Sequence, residues 1–415
     1  MTSLQDDARK IMDAAILSVL PEAAVQKALA GKRFPGKTVI VAIGKAAWRM
    51  AHSAVTVLKD QVSGGVVITK YGHSQGDIPG LTILEAGHPV PDENGIRAAK
   101  EALRLTGGLQ KEQTVVFLVS GGGSALFELP LPGTTLKDIA DITRQLLACG
   151  ANIVEINTIR KHLSQVKGGR FAEHCAPAQV LSIVLSDVLG DPLDSIASGP
   201  AHPDRSTCAD ALAIVKKHGL QVSGGVLEAL SQETPKALSG VETLITGNVN
   251  ALCQGAMKAA GELGYETLLL TTTLDIEARE AGAFLASIAR QIRETGQPCK
   301  PPCALILGGE TVVHLRGKGQ GGRNQELALT AAEGIDGLAD TLILSVGSDG
   351  TDGPTDAAGG MVTGEFAQKC RELGMSICEA LNNNDSYPVL KEAGGLLVTG
   401  PTGTNVNDLM MVLVR

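Results

Sequence analysis

Residues 345–360 read Ser-Val-Gly-Ser-Asp-Gly-Thr-Asp-Gly-Pro-Thr-Asp-Ala-Ala-Gly-Gly. Asp349, Asp352 and Asp356 stand three and four residues apart, among five glycines and one proline. The apolar run 341–346 just before them predicts a buried strand. Three carboxylates in a loop at the carboxyl end of such a strand suit a metal ion or a polar ligand. The same residues also serve as helix N-caps and Asx-turns.

Four further segments repeat this pattern of an apolar run followed by a polar, glycine-rich turn. In Ile43-Gly-Lys-Ala-Ala, Lys45 opens a predicted helix that runs to about Leu58. An ammonium there opposes the helix dipole, so either an anion is shared between Lys45 and the helix amides or the lysine is simply solvated. In Val119-Ser-Gly-Gly-Gly-Ser-Ala-Leu, Gly121, Gly122 and Gly123 expose backbone amides, and Ser120 and Ser124 add hydroxyls. Such a turn cradles a phosphate or a substrate carboxylate, or is only tight. In Leu185-Ser-Asp-Val-Leu-Gly-Asp-Pro-Leu-Asp, the carboxylates of Asp187, Asp191 and Asp194 suit Mg²⁺ or a hydroxyl proton. Asp191-Pro192 equally reads as a helix start.

The fourth segment begins Gly308-Gly-Glu-Thr and ends Gly322-Arg-Asn-Gln-Glu. Gly317, Gly319 and Gly322 fit G-x-G-x-x-G, which invites a nicotinamide-dinucleotide reading. Arg316, Lys318 and Arg323 bring more charge than that fingerprint needs. Three cations with the open amides of Gly319, Gly321 and Gly322 suit the terminal phosphate of a nucleotide, an arginine spreading the transition-state charge. The P-loop sequence and the protein-kinase motifs are absent. His88 and Asn94, in a proline-stiffened loop, could contact a polar substrate, whereas His52, His162, His174 and His314 read as structural.

Elements must hold these turns in place. Continuous apolar runs at 38–43, 65–69, 81–85, 114–119, 180–185, 243–245, 267–270, 304–307, 312–315, 341–346, 395–398 and 409–414 predict strands covered on both faces. Helical patterns lie between many of them. The clearest is 275–294, with Asp275 as N-cap, Phe284, Ile288 and Ile292 on one face, and Gly296 beyond its end. The alternation implies α/β layers with mostly parallel strands. A polar stretch near 220–242 divides the chain into domains 1–240 and 241–415, and a plain amphipathic helix covers about 5–20.

Composition narrows the classes. The 415 residues carry a net charge of −8 with no basic stripe, and one Trp, three Tyr and six Phe leave little for base stacking, so nucleic acid is not an expected partner. The polar, acidic N-terminus is no signal peptide and no apolar stretch reaches membrane-spanning length. Eight scattered cysteines, only Cys299 and Cys303 suggestively spaced, complete no zinc site and read as reduced thiols of a cytoplasmic protein.

Together these segments resemble the glycerate 2-kinase family, whose C-terminal part is called the MOFRL domain. The resemblance spans nearly the whole chain. It rests on Ile43-Gly-Lys-Ala, Gly87-His-Pro-Val-Pro-Asp-Glu-Asn-Gly, Ser120-Gly-Gly-Gly-Ser-Ala, Asn157-Thr-Ile-Arg-Lys-His-Leu-Ser-Gln-Val-Lys-Gly-Gly, Leu185-Ser-Asp-Val, Gly308-Gly-Glu-Thr, Gly322-Arg-Asn-Gln-Glu and Gly347-Ser-Asp-Gly-Thr-Asp-Gly-Pro-Thr-Asp. The resemblance implies an ATP- and Mg²⁺-dependent kinase that converts D-glycerate to 2-phosphoglycerate. It implies a Rossmann-like α/β N-terminal domain with a mostly parallel sheet, a smaller α/β C-terminal domain and an active site in the cleft between them. The family's active-site lysine and arginine match Lys45 and Arg323.

On this reading Lys45 and Arg323 stabilise the transferring phosphoryl group, and Asp187 orients or deprotonates the hydroxyl. Ser120, Gly121, Gly122, Gly123, Ser124, His88 and Arg160 hold substrate or phosphate. Gly319, Gly321, Gly322, Asp349 and Gly350 face the nucleotide, and Asp187, Asp349 and Asp352 are the metal candidates. Arg160, Lys161 and Lys167 draw an anionic substrate or form an ordinary solvated face. A homodimer is compatible with the reading. Relatives are also labelled hydroxypyruvate reductase, often from operons of tartrate degradation, so an NAD(P)H-dependent reductase built on residues 317–322 is the alternative.

Overall fold

The structure is a computed structural model that describes residues 3–415. The chain forms two compact units, one of residues 24–246 and one that joins residues 1–23 to 247–415.

The first unit holds β1 (Thr38–Ile43), β2 (Val62–Lys70), β3 (Leu81–Ala86), β4 (Thr114–Val119), β5 (Gln179–Leu185) and β6 (Val241–Gly247) in the order β3-β2-β1-β4-β5-β6. β3 with β2, β2 with β1, β1 with β4 and β4 with β5 all pair in parallel. β1 shows why its run is apolar at every position. Val39, Val41 and Ile43 join one core with Ala98, Ala99 and Phe171, while Ile40 and Ala42 join the opposite core with Met50, Ala51 and Leu58. Side chains alternate across a strand, so helices on both sheet faces demand apolar residues throughout. The strand order reverses direction between β1 and β4, and in such open α/β sheets the crevice beyond that switch point takes the ligand.

The second unit holds β7 (Glu266–Leu274), β8 (Cys303–Gly309), β9 (Thr341–Gly347), β10 (Gly359–Thr363), β11 (Leu396–Leu397) and β12 (Asp408–Val414), ordered β11-β10-β9-β12-β8-β7. Only β7 and β8 run parallel; β12 is antiparallel to both neighbours, as are β9 to β10 and β10 to β11. This corrects the expectation of mostly parallel strands for the C-terminal half. Burial on both faces makes β9 and β12 uniformly apolar, and that pattern is blind to strand direction.

The first helix, Leu4–Ser18, packs on the helix Val249–Glu262 of this same unit. Its Asp7 is buried on the otherwise apolar face and accepts a hydrogen bond from the Tyr265 hydroxyl at 2.9 Å and from the Arg415 guanidinium. That network ties the first helix to the C-terminal half, unlike the sequence-based division at 240/241.

Three local expectations are corrected. Residues 312–315 form no strand beyond a single bridge at Val312, because Leu315 is 83 % exposed and Val312 is solvent-facing too. The helix expected from Asp275 spans Ala278–Thr295 and follows Glu277; it buries Ala281, Leu285, Ala289 and Ile292, while Phe284 points outward. Asp191-Pro192 starts no α-helix: Asp191 stands at φ +52 in an irregular loop that ends in the 3₁₀ turn Ile196–Ser198. Among the described residues no helix is long and apolar enough to cross a membrane.

Candidate active site

In the first unit, the turns after β1 and β4 interlock. Gly44 takes φ +113, and a Cβ there would collide with Ser120 Oγ. The Lys45 N–H donates to Gly121 O at 2.9 Å. The Ser120 hydroxyl donates to Ile43 O (3.2 Å) and accepts from the Ala46 N–H (3.1 Å). Ser120 is buried. It therefore stitches the two turns together and has no proton left for a ligand, which corrects its expected binding role.

The triple glycine is the hub of this cluster. A Cβ on Gly121 would collide with Asp187 Oδ2, and one on Gly122, at φ +83, would lie 3.1 Å from His88 Nε2 and 3.4 Å from Lys45 Cγ. Lys45, His88 and Asp187 thus surround one small loop, although 142 residues separate Lys45 from Asp187 in the chain. The amides of Gly121 and Gly122 have no hydrogen-bond partner among the described residues, whereas that of Gly123 bonds to Ser120 O at 3.3 Å. Two open amides rather than three remain for an anion. Ser124 Oγ lies 2.9 Å from Ser198 Oγ, which bonds onward to Asn157. Ala197 and Ser198, both non-glycine residues at positive φ, are strained, and Ala197 abuts Gly123.

Lys45 is exposed, and its ammonium has no ion-pair partner among the described residues. Arg160 is half-buried and likewise donates no hydrogen bond; burial lowers its pKa while Glu128 pulls it back up. Lys161 and Lys167 differ from the expectation. They are buried, Lys161 Nζ 2.8 Å from Asp204 and Lys167 Nζ 2.7 Å from Glu128. They build the core, and Arg160 alone of the three lines the cavity of about 480 Å³ beside His88, Gly122 and Ser124. Burial, then the nearby Lys45, lower the pKa of His88, so its imidazole is neutral at pH 7.

In the second unit, Arg323 opens the helix Arg323–Gly334 with Gly322 as its N-cap. Its guanidinium grips Asp408 through two bonds, Nε–Oδ2 at 2.6 Å and Nη2–Oδ1 at 2.9 Å, and Glu310 through Nη1 at 2.9 Å. Burial works against its charge, but Asp408 and Glu310 outweigh burial and hold the group protonated. Two of the five guanidinium protons remain free for a ligand. Arg323 lines a cavity of about 780 Å³ with Glu310, Lys318, Gly319, Asp349 and Asp352.

The glycine loop before Arg323 is not the open cradle expected. The amides of Arg316 and Gly317 bond to Asn384 Oδ1, Lys318 to Asn383 Oδ1, Gly319 to Asn383 O at 2.8 Å and Gln320 to Asp385 Oδ1 at 2.8 Å. Only the amides of Gly321 and Gly322 stay open among the described residues. The aspartates of 345–360 also separate by role. Asp352 is buried and accepts from the Asn324 and Gln325 amides (3.1 and 2.9 Å), so it caps the helix from another segment. Burial pushes its carboxyl up to about 6 against the pull of those amides. Asp349 uses Oδ1 on the Thr351 N–H and hydroxyl, and Asp356 accepts from Tyr387. Gly350, at φ +84, bonds to Gly347 O and packs on Gly400, which makes it a turn residue.

Among the described residues, no group of three His, Cys, Asp or Glu side chains could hold a metal ion. Mg²⁺ in phosphoryl-transfer sites needs only one or two carboxylates, the rest of its shell being water and substrate phosphate. Asp349 Oδ2 and the half-buried Asp187 carboxylate fit that demand; Asp352, both oxygens committed to a helix terminus, does not.

Comparisons with known proteins address the whole chain. A domain of unknown function, DUF4147, matches residues 7–231, and the MOFRL family matches residues 303–408. The D-glycerate 2-kinase of Thermotoga maritima is 54% identical over 99% of both chains. The chain belongs to the glycerate 2-kinase family. A glycerate 2-kinase of Pyrococcus horikoshii is 42% identical over 92% of this chain and 89% of its own. A putative hydroxypyruvate reductase of Agrobacterium vitis is 40% identical over 98% and 93%, so the reductase label belongs to a lower-identity relative. The crystal structure of the Thermotoga maritima glycerate kinase superposes with a TM-score of 0.97 at 53% identity, covering 99% of each chain.

For a glycerate 2-kinase family member, sequence reasoning missed Asp408 and Glu310, the carboxylates that hold Arg323. Glu310 stood inside a quoted motif without a role. Asp408 announced itself only as a charge at the edge of an apolar run. We expect Asp352→Asn to turn an N–H donor onto the Gln325 amide and lower stability by about 1–3 kcal/mol, measured by urea denaturation, with any dependence of turnover on Mg²⁺ the same as in the unmodified protein. A shifted Mg²⁺ dependence at unchanged stability would return Asp352 to the metal candidates.

Proposed function

We propose that this chain phosphorylates D-glycerate at its 2-hydroxyl in the cytoplasm, with MgATP as donor and 2-phospho-D-glycerate as product. The observation that carries the reading is the unpaired Lys45 ammonium beside the open Gly121 and Gly122 amides, in a chain 54% identical throughout to a D-glycerate 2-kinase. Phosphoryl transfer asks a protein for little covalent chemistry; it asks for positioning and for positive charge where negative charge develops.

Lys45 supplies that charge without having to leave a partner. The Gly121 and Gly122 amides hold phosphate oxygens and are preorganised by the Ser120 stitch. In the other unit, Arg323 offers a cation of its own through its two free protons, its plane fixed by Asp408 and Glu310. Asp187, placed against Gly121, orients the substrate hydroxyl or takes its proton. Bound Mg²⁺ would neutralise phosphate charge, and Asp187, beside the open amides of the first unit, is the carboxylate there able to hold it. The reductase alternative draws no support from its fingerprint, since the Gly317 and Gly319 amides already bond to Asn384 and Asn383.

A paired assay tests the reading. Incubation with D-glycerate, Mg²⁺ and ATP should release ADP, and incubation with hydroxypyruvate and NADH should leave NADH unoxidised. The reverse pattern would overturn it.

A further inference from the structure

We propose that the apolar cavity beside the triple glycine is the site of the donor's purine base, so that the nucleotide lies in the unit of residues 24–246 and not along the glycine-rich loop 316–322. This rests on the kinase reading above and names where its nucleoside triphosphate binds.

The cavity measures about 480 Å³, within the range of sites for nucleoside-sized ligands. One wall is a single face of the helix Leu136–Ala148, contributed by Leu136, Ile139, Ala140, Thr143 and Leu147 at three- and four-residue spacing. Leu147 is 64 % exposed, and Val90, which also lines the cavity, 63 %. A three-carbon hydroxy acid has almost no apolar surface to set against such walls. A purine does, on both of its faces.

The polar end of the cavity suits the rest of a nucleotide. His88, Gly122 and Ser124 line it, and they adjoin the open Gly121 and Gly122 amides and Lys45. Arg160 faces the same space with no hydrogen-bond partner, and the Glu128 carboxylate beside it is already taken by Lys167 and the Leu129 amide. Base-sized apolar walls, two free cations and two free amides therefore succeed one another along one surface. The place is the crevice beyond β1 and β4, where the strand order reverses.

The loop 316–322 offers the opposite environment. Five of its amides are bonded to residues 383–385. The helix terminus it leads to already holds an anion, the Asp352 carboxylate. Glu310, Asp349 and Asp408 add negative charge around Arg323. A polyphosphate would meet more carboxylates than cations there.

Two experiments decide. Ala140 is exposed, so Ala140→Phe fills the cavity without disturbing a core. It should weaken ADP binding by calorimetry at least tenfold and raise the KM for ATP similarly, with the KM for D-glycerate within twofold of wild type. Photolabelling of the unmodified protein with 8-azido-ADP should place the label within residues 88–91 or 136–147. Label within 310–323 or 349–354, or wild-type ADP affinity in a folded Ala140→Phe variant, would overturn the proposal. Failure of the wild-type protein to turn over D-glycerate would sink the kinase reading while leaving both binding readouts able to locate the nucleotide.

Discussion

Lys45→Met is expected to lower kcat for D-glycerate phosphorylation by about 10²- to 10³-fold, the loss typical of one preorganised charge-stabilising donor. The melting temperature should not move, because the ammonium is exposed and unpartnered and its removal orphans nothing. Only the side chain changes; the Lys45 amide that bonds to Gly121 O stays, so the interlocked turns persist. Steady-state kinetics with a parallel thermal melt checks this. A fall in melting temperature matching the activity loss would make Lys45 a structural residue, and an unchanged kcat would remove it from the mechanism.

Arg323→Met should behave differently. Activity should again fall by about 10²-fold or more, but stability should fall with it. The Asp408 side chain is 1% exposed, and losing its guanidinium partner leaves a buried carboxylate uncompensated, which costs roughly 3–5 kcal/mol. The double variant Arg323→Met/Asp408→Asn separates the two effects. Removing the orphaned charge should recover most of the stability and none of the activity. Recovery of both would mean that Arg323 acts only by holding β12 to the helix it opens. Arg323→Lys should not rescue, since a single ammonium cannot reproduce the two-pronged grip on Asp408 with a third bond to Glu310.

These two cations looked alike in the sequence, each just past an apolar run and beside glycines. Their difference lies in partners that are distant in the chain. Asp408 is 85 residues beyond Arg323, and nothing in the local pattern announces it. The same holds for the loop 316–322, whose amides are engaged by Asn383, Asn384 and Asp385 more than sixty residues on. An unpartnered glycine-rich turn and an engaged one have the same composition.

What was legible is what local physics dictates. The run 38–43 and the run 114–119 became β1 and β4 residue for residue, because a strand buried on both faces must be apolar at each position. The convergence of Lys45, His88 and Asp187 on the triple glycine was not legible, because it is set by how three separate strand-end loops pack together and no local pattern announces it. The strand β10 went unread, since its Gly359 and Gly360 lack the β-branched signal. Those glycines are required by packing: a Cβ on Gly359 would collide with Ser345 O, and one on Gly360 would collide with Ala328 and Leu390. Asp352 read as a metal candidate because a carboxylate that caps a helix from a distant loop and one that binds Mg²⁺ share the same sequence signature.

The claim that phosphate goes to the 2-hydroxyl of D-glycerate is tested most directly on the product. D-glycerate, Mg²⁺ and ATP are incubated with the protein, and the phosphorus NMR spectrum is recorded with proton coupling. A phosphomonoester signal split into a doublet by the single proton on C2 is the expected result. A triplet from the two protons on C3, or no new phosphomonoester at all, would contradict it.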